Sequence, residues 1–261
     1  MSPFDSVPSP AARESAAGPV PARPDAAPGQ VRLIGNLVGL VALVALPVAV
    51  ITSVVLGLIF NASFYHDGQV RFEVQRVTRM TQDQMDRVDR GIVRFFAGTE
   101  SLPDALVASG APGDVYQEKE VLHMNDVRGL IRGIRSLQLA ALGVVAVLLV
   151  LTGVTWRRGG REILARTFLL SSLLTVALTV VVGVLTLTSF DSLFLTFHHL
   201  SFSNDFWQLD PRTDHLIQMF PFEFWYDAML TVAIRVVLVT AVIAVAGFVL
   251  RQAGKAQRRW T

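Results

Sequence analysis

Glu120, His123 and Asp126 stand three residues apart in turn. On a helix this spacing puts them on neighbouring sides of one face, with two carboxylates flanking one imidazole. A carboxylate within reach selects which ring nitrogen holds the proton and favours the charged ring, so it makes the histidine a stronger base. The same pattern fits a solvated helix face. A second candidate lies in Phe197-His198-His199-Leu200-Ser201-Phe202, where either imidazole also fits an interfacial side chain. His66 and His215 complete the histidines. No pair of them has metal-ligand spacing on one helix, so no metal is expected. HExxH, GxSxG, Walker and GxGxxG patterns are missing, and the lack of cysteine rules out a thiolate nucleophile or a cysteine-held zinc.

Any such chemistry has to be positioned by membrane helices. Hydrophobic residues make up 52% of the chain and charged residues 17%, a mixture that suits apolar spans joined by polar segments. A net charge of +2 is too small for a nucleic-acid surface, so no nucleic-acid partner is expected. A bilayer core of roughly 30 Å takes about 20 apolar residues as a helix. Four stretches reach that length, from Ile34 to Phe60, Leu137 to Trp156, Leu164 to Phe190 and Met229 to Leu250. Short basic loops stay inside, and Arg157, Arg158 and Arg161 follow the second span while the loop after the third carries Arg212 among six acidic residues. Both termini are therefore expected to be cytoplasmic. The fold expected is an α-helical membrane protein with four transmembrane helices. Residues 1–33 form a disordered cytoplasmic tail rich in proline, 34–250 the four-helix domain, and 251–261 a basic tail. Two extracytoplasmic segments, 61–136 and 191–228, carry every histidine.

In the first outer segment, Thr81-Gln82-Asp83-Gln84 reads as a capping box, and Met85, Val88, Ile92, Phe95 and Phe96 follow at helical spacing. Val70, Phe72 and Val74 alternate, which predicts a short strand within Gly68 to Val77. Val121, Met124, Val127, Ile131, Ile134 and Leu137 form a stripe that makes one long helix running into the second span. Arg128 and Arg132 lie along it and are expected at the lipid headgroups. Arg235, about two turns into the fourth span, needs either snorkelling or contact with polar groups of a substrate. From Phe190 to Tyr226 the chain holds 11 of the 23 aromatic residues, and Pro211 and Pro221 break the second outer segment into turns and short helices at the outer leaflet.

Taken together, Glu120-Val121-Leu122-His123-Met124-Asn125-Asp126-Val127, then Phe197-His198, Phe202, Asn204-Asp205-Phe206-Trp207, and Asp210-Pro211 through Asp214 to Phe220-Pro221, resemble the bacterial membrane family of lipoprotein intramolecular transacylases. The resemblance extends over nearly all of the chain after the tail. It implies transfer of the sn-2 acyl chain of a diacylglyceryl-modified lipoprotein to the α-amino group of its N-terminal cysteine, giving the lyso-form. It also implies a bacterial cytoplasmic membrane location with the site on the outer side, and no cofactor. The matching catalytic positions are His123 and His198. By their own spacing and placement, Glu120 and Asp126 are expected in support, and Arg128, Arg132, Arg235 and Trp207 in contact with substrate or headgroup. Diacylglyceryl lipoproteins and membrane phospholipids are the implied partners. Activity should then fall on the acidic side of the histidine range, near pH 6 to 7 by the model value of roughly 6.5, with Asp126 and Glu120 moving the midpoint up. The alternative is a non-catalytic outer-leaflet lipid-binding or assembly protein.

Overall fold

A computed structural model describes residues 28–155 and 159–257. The tail before Pro28, the Arg157 and Arg158 pair and the last four residues lie outside them, as do the expectations placed there. Four helices are long and apolar enough to cross a membrane: α1 (Pro28–Ile59), α6 (Glu118–Val154), α7 (Gly160–Ser201) and α9 (Phe222–Gln257). Between α1 and α6 come α2 (Ala62–Arg71), α3 (Gln75–Thr78), α4 (Gln82–Ala97) and α5 (Leu102–Ala108), and α8 (His215–Met219) sits between α7 and α9. Along the long helices α7 lies against α9, and α1 against α6 and α7. Thr52, Thr152 and Thr175 return their hydroxyls to carbonyls four residues back, which satisfies polar groups where no water reaches them.

The sequence carries two of these helices well past the apolar stretch. α6 is continuous from Glu118, so the residues before Leu137 extend the apolar stretch by about 28 Å of helix at 1.5 Å per residue. α7 continues past Phe190 to Ser201, with a kink where Ser189 leaves helical geometry. Between these ends a second core forms. Met85, Val88, Ile92 and Phe95 of α4 are buried against Leu102 and Leu106 of α5, Met124 and Ile131 of α6, Leu216 and Met219 of α8, and Phe224 of α9. The capping box at Thr81 and Gln84 starts α4, and Asn61 caps α2 through the Ser63 N–H.

The strand expected within Gly68 to Val77 is absent, and the correction has a local cause. These residues end α2, turn, and enter α3, with the Phe72 N–H bonded to the Gly68 carbonyl and the Val74 N–H to the Gln69 carbonyl. No neighbouring strand offers a ladder among the described residues, so local turns satisfy the backbone instead. Val70 and Val74 are also one helical turn apart, which is why an alternation over three positions misled.

Gly68 is where α2 meets α9, since a Cβ there would lie 2.5 Å from the Phe224 ring. Gly133 on α6, in contrast, has open space around it. Gly68→Ala should therefore destabilise the protein by about 1 to 3 kcal/mol through overpacking. Gly133→Ala should stabilise it by roughly 0.5 to 1 kcal/mol through helix propensity. Thermal unfolding in detergent checks both, and equal shifts would contradict the packing described.

Candidate active site

The projecting end of α6 is fixed at its first turn. The Gln117 N–H donates to Glu120 Oε2 at 2.7 Å, which caps the helix, and the Leu216 N–H of the aromatic segment donates to Glu120 Oε1 at 2.6 Å. Glu120 is 0% exposed. Around it, Lys119 Nζ lies 2.6 Å from Asp214 Oδ2, and Gln117 Nε2 donates to the Thr213 carbonyl at 3.0 Å. Burial pushes Glu120 upward in pKa against those two backbone N–H donors. Burial would also raise Asp214, but the Lys119 ammonium and the Asp210 N–H outweigh it and hold the carboxyl below the usual range.

One turn along α6, His123 is 7% exposed and turns toward His198, which is also 7% exposed and lies in the last turn of α7. The ring centroids are 6.1 Å apart with planes 31° from parallel. An aromatic wall encloses them. Phe194 lies 4.3 Å from His198, Trp207 5.0 Å and Phe197 5.2 Å, while Phe202 stands edge-on to His123 at 5.0 Å. Trp207 also meets His199 edge-on at 5.0 Å.

Hydrogen bonding assigns the tautomers. His198 Nδ1 is 2.7 Å from the Phe194 carbonyl, which can only accept, so Nδ1 carries the proton and Nε2 keeps its lone pair. His123 Nδ1 is buried and meets no partner among the described residues. An unpaired lone pair is tolerated more readily than an unpaired N–H, so the proton of His123 belongs on Nε2. Both rings lie outside the apolar stretches of their helices. Burial first, and then the neighbouring His198, push His123 down to about 4 against the pull of Asp126. Burial also lowers His198, against the Phe194 carbonyl. The upward shift expected from Glu120 and Asp126 is thus reversed, because desolvation outweighs the pull of Asp126 and Glu120 adds none.

Neither carboxylate bonds to the imidazole it was expected to support. Glu120 serves two backbone amides, and Asp126 accepts from Asn204 Nδ2 at 2.8 Å, tying α6 to the turn after α7. Arg128 and Arg132 also make contacts within the protein. The Arg128 guanidinium lies 4.0 Å over the Phe95 ring and donates to the Glu100 carbonyl at 2.7 Å, and Arg132 donates to the Gly98 carbonyl at 3.2 Å. Arg235 is exposed on α9, about 20 Å of helix beyond Phe222. His66 pairs with Asp86 at 2.8 Å, and His215 begins α8. Sequence reasoning passed over the Phe194 carbonyl, although its place four residues before His198 on a helix is the signal that could have found it. Among the described residues no group of three His, Asp or Glu side chains could hold a metal ion.

The family model of lipoprotein intramolecular transacylase Lit matches residues 40–225. An uncharacterized protein of Aquifex aeolicus is 30% identical over 137 residues, which is 52% of this chain and 57% of that protein, so the match spans little more than half of the relative. The fold is that of the membrane-integral lipoprotein intramolecular transacylase Lit of Bacillus cereus. One solved structure is similar at a TM-score of 0.71 and 17% identity, covering 88% of this chain and 100% of that one. A histidine-to-arginine variant of the same protein gives 0.68 and 16% identity, covering 88% and 99%. The matched residues include both histidines and the segments that hold them, and the chain belongs to the Lit family of lipoprotein intramolecular transacylases.

Proposed function

We propose that this protein moves the sn-2 acyl chain of a diacylglyceryl-modified lipoprotein onto the α-amino group of its N-terminal cysteine. The reaction takes place at the outer face of the bacterial cytoplasmic membrane, with both termini cytoplasmic and phospholipid around the spans. The observation that carries the reading is the pair of buried imidazoles with ring centroids 6.1 Å apart and one ring nitrogen of each still available. As the amine nitrogen attacks the ester carbonyl, His198 Nε2 takes the amine proton. The C–N bond forms, the C–O bond breaks, and the imidazolium returns the proton to the departing glyceryl oxygen. His123 Nε2–H donates to the carbonyl oxygen as negative charge develops there. Protons balance, both histidines end neutral, and neither water nor a covalent acyl-enzyme takes part. The amine and the ester belong to one molecule, so orientation and water exclusion supply much of the acceleration. The aromatic wall suits both. Glu120 and Asp126 act as positioning residues, Trp207 holds the His198 ring, and Arg128 and Arg132 support α6 from the α4–α5 side.

Purified protein in phospholipid vesicles with a diacylated lipopeptide should yield the N-acyl lyso-product by mass spectrometry. His123→Ala and His198→Ala should each slow it by about 100-fold to 10,000-fold while remaining folded, as expected for a positioned acid–base group. His66→Ala and His215→Ala should stay near the parent rate. Parent-like turnover in both site variants would favour a lipid-binding role instead.

Neutral imidazoles at physiological pH are a direct corollary. In ¹⁵N spectra of histidine-labelled protein, His123 should stay neutral until the pH falls to about 4, and His198 should show a protonated Nδ1 beside a lone-pair Nε2. Titration of His123 near the ordinary value of roughly 6.5 would contradict the electrostatics of the site.

A further inference from the structure

A second buried polar pair lies outside the transacylase site, between α2 and α4. Asp89 is 1% exposed and Gln69 0%. Gln69 Nε2 donates to Asp89 Oδ1 at 2.9 Å. Asp89 Oδ2 and Gln69 Oε1 are both buried and meet no donor among the described residues. Two acceptors left unpaired on two side chains already joined by one hydrogen bond is a costly arrangement for an ionised carboxylate.

The neighbours do not supply the missing donor. The Tyr65 hydroxyl donates to the Ile59 carbonyl, and the Tyr116 hydroxyl to Met219 Sδ at 3.3 Å. Burial raises both tyrosines, with Asp89 adding to it, so both hydroxyls keep their protons. On the same side, His66 of α2 is paired with Asp86 of α4, whose charge disfavours ionisation of Asp89, and Arg90 is exposed and favours it. Burial dominates and pushes the Asp89 carboxyl up to about 7, against the Gln69 hydrogen bond.

We propose that Asp89 carries a proton in the folded protein and that this proton, donated from Oδ2 to Gln69 Oε1, closes a two-hydrogen-bond ring that latches α2 to α4. One proton taken from solvent satisfies both unpaired acceptors, and nothing else changes. Farther along α4, Phe95 lies under Arg128 of α6, and Arg132 of α6 bonds the Gly98 carbonyl just beyond the helix. The latch therefore couples proton concentration to how firmly α2 is held against α4.

The sign follows from linkage. The folded carboxyl sits near 7 and the ordinary value is 3.8, so the stabilisation is complete below the ordinary value and is lost as pH rises through the folded one. Within that window each pH unit multiplies the unfolded fraction by up to about ten for the one proton.

The test compares full-length parent protein with Asp89→Asn, whose amide donates to Gln69 Oε1 at any pH and accepts from Gln69 Nε2. Thermal unfolding in detergent between about pH 5 and pH 8 should show the parent losing stability relative to the variant as pH rises. An infrared difference spectrum, parent minus variant, should show a protonated-carboxyl C=O band that disappears with a midpoint near 7. If the variant does not fold, the same band followed in parent protein with isotope-labelled aspartate gives the answer. Identical pH dependence in the two proteins, or complete ionisation of the labelled aspartates by about pH 5, overturns the proposal.

Discussion

A buried carboxylate at the first turn of α6 holds the site together. Glu120 could not remain at 0% exposure as an ordinary surface acid, because a carboxylate removed from water needs donors on its oxygens. It finds them in two backbone amides, one that caps its own helix and one that belongs to Leu216, 96 residues later. Backbone donors have little freedom to move, so the contact fixes the aromatic segment against α6. The Lys119 to Asp214 ion pair and the Gln117 to Thr213 hydrogen bond secure the same seam, and the Asn204 to Asp126 hydrogen bond secures the next turn. These ties set where α7 ends relative to α6, and with it the approach of His198 to His123.

The surroundings of the two rings explain why the pair is uncharged. An imidazolium inside a wall of Phe194, Phe197, Phe202 and Trp207 would lose its hydration, and Asp126, already bonded to Asn204, offsets that loss only in part. Neutral rings suit acyl transfer to an amine. An α-ammonium ordinarily titrates near 7.7 to 8.0, so it releases one proton to solvent before it can attack, and the lone pair at His198 Nε2 is then free to receive the second as the C–N bond forms. His123, held neutral by burial, keeps an N–H to offer a developing oxyanion, and a donor fixed in advance in a water-poor site needs no reorganisation during the reaction.

Much of this arrangement was legible in the sequence, where one physical period governs the pattern. The four apolar stretches, the capping box before α4 and the stripe from Val121 to Leu137 all follow from helical repetition, and each appears at its expected place. Helix ends were harder. α7 runs eleven residues past Phe190 because the aromatic residues there suit a helix as well as a folded interfacial segment. The Val70, Phe72 and Val74 alternation misled because a strand is defined by its partner and a single chain segment cannot announce one. The spacing of Glu120, His123 and Asp126 placed the three on one stretch of α6. It could not reveal that Leu216 and Asn204 would claim the two carboxylates, since both contacts depend on tertiary structure. For the same reason the sequence could not show that Arg128, which reads as a headgroup anchor, lies over Phe95.

In the proposed reaction the amine and the ester of one molecule meet at one pair of histidines, with no acyl group stored on the protein. A crossover experiment tests it most directly. An equimolar mixture of two lipopeptides, one with a deuterated sn-2 acyl chain on a ¹³C-labelled peptide and one with neither label, would be converted together and the N-acyl products weighed. Intramolecular transfer predicts only doubly labelled and wholly unlabelled products. Singly labelled products in the statistical proportion would show that acyl chains pass between molecules, and would contradict the account.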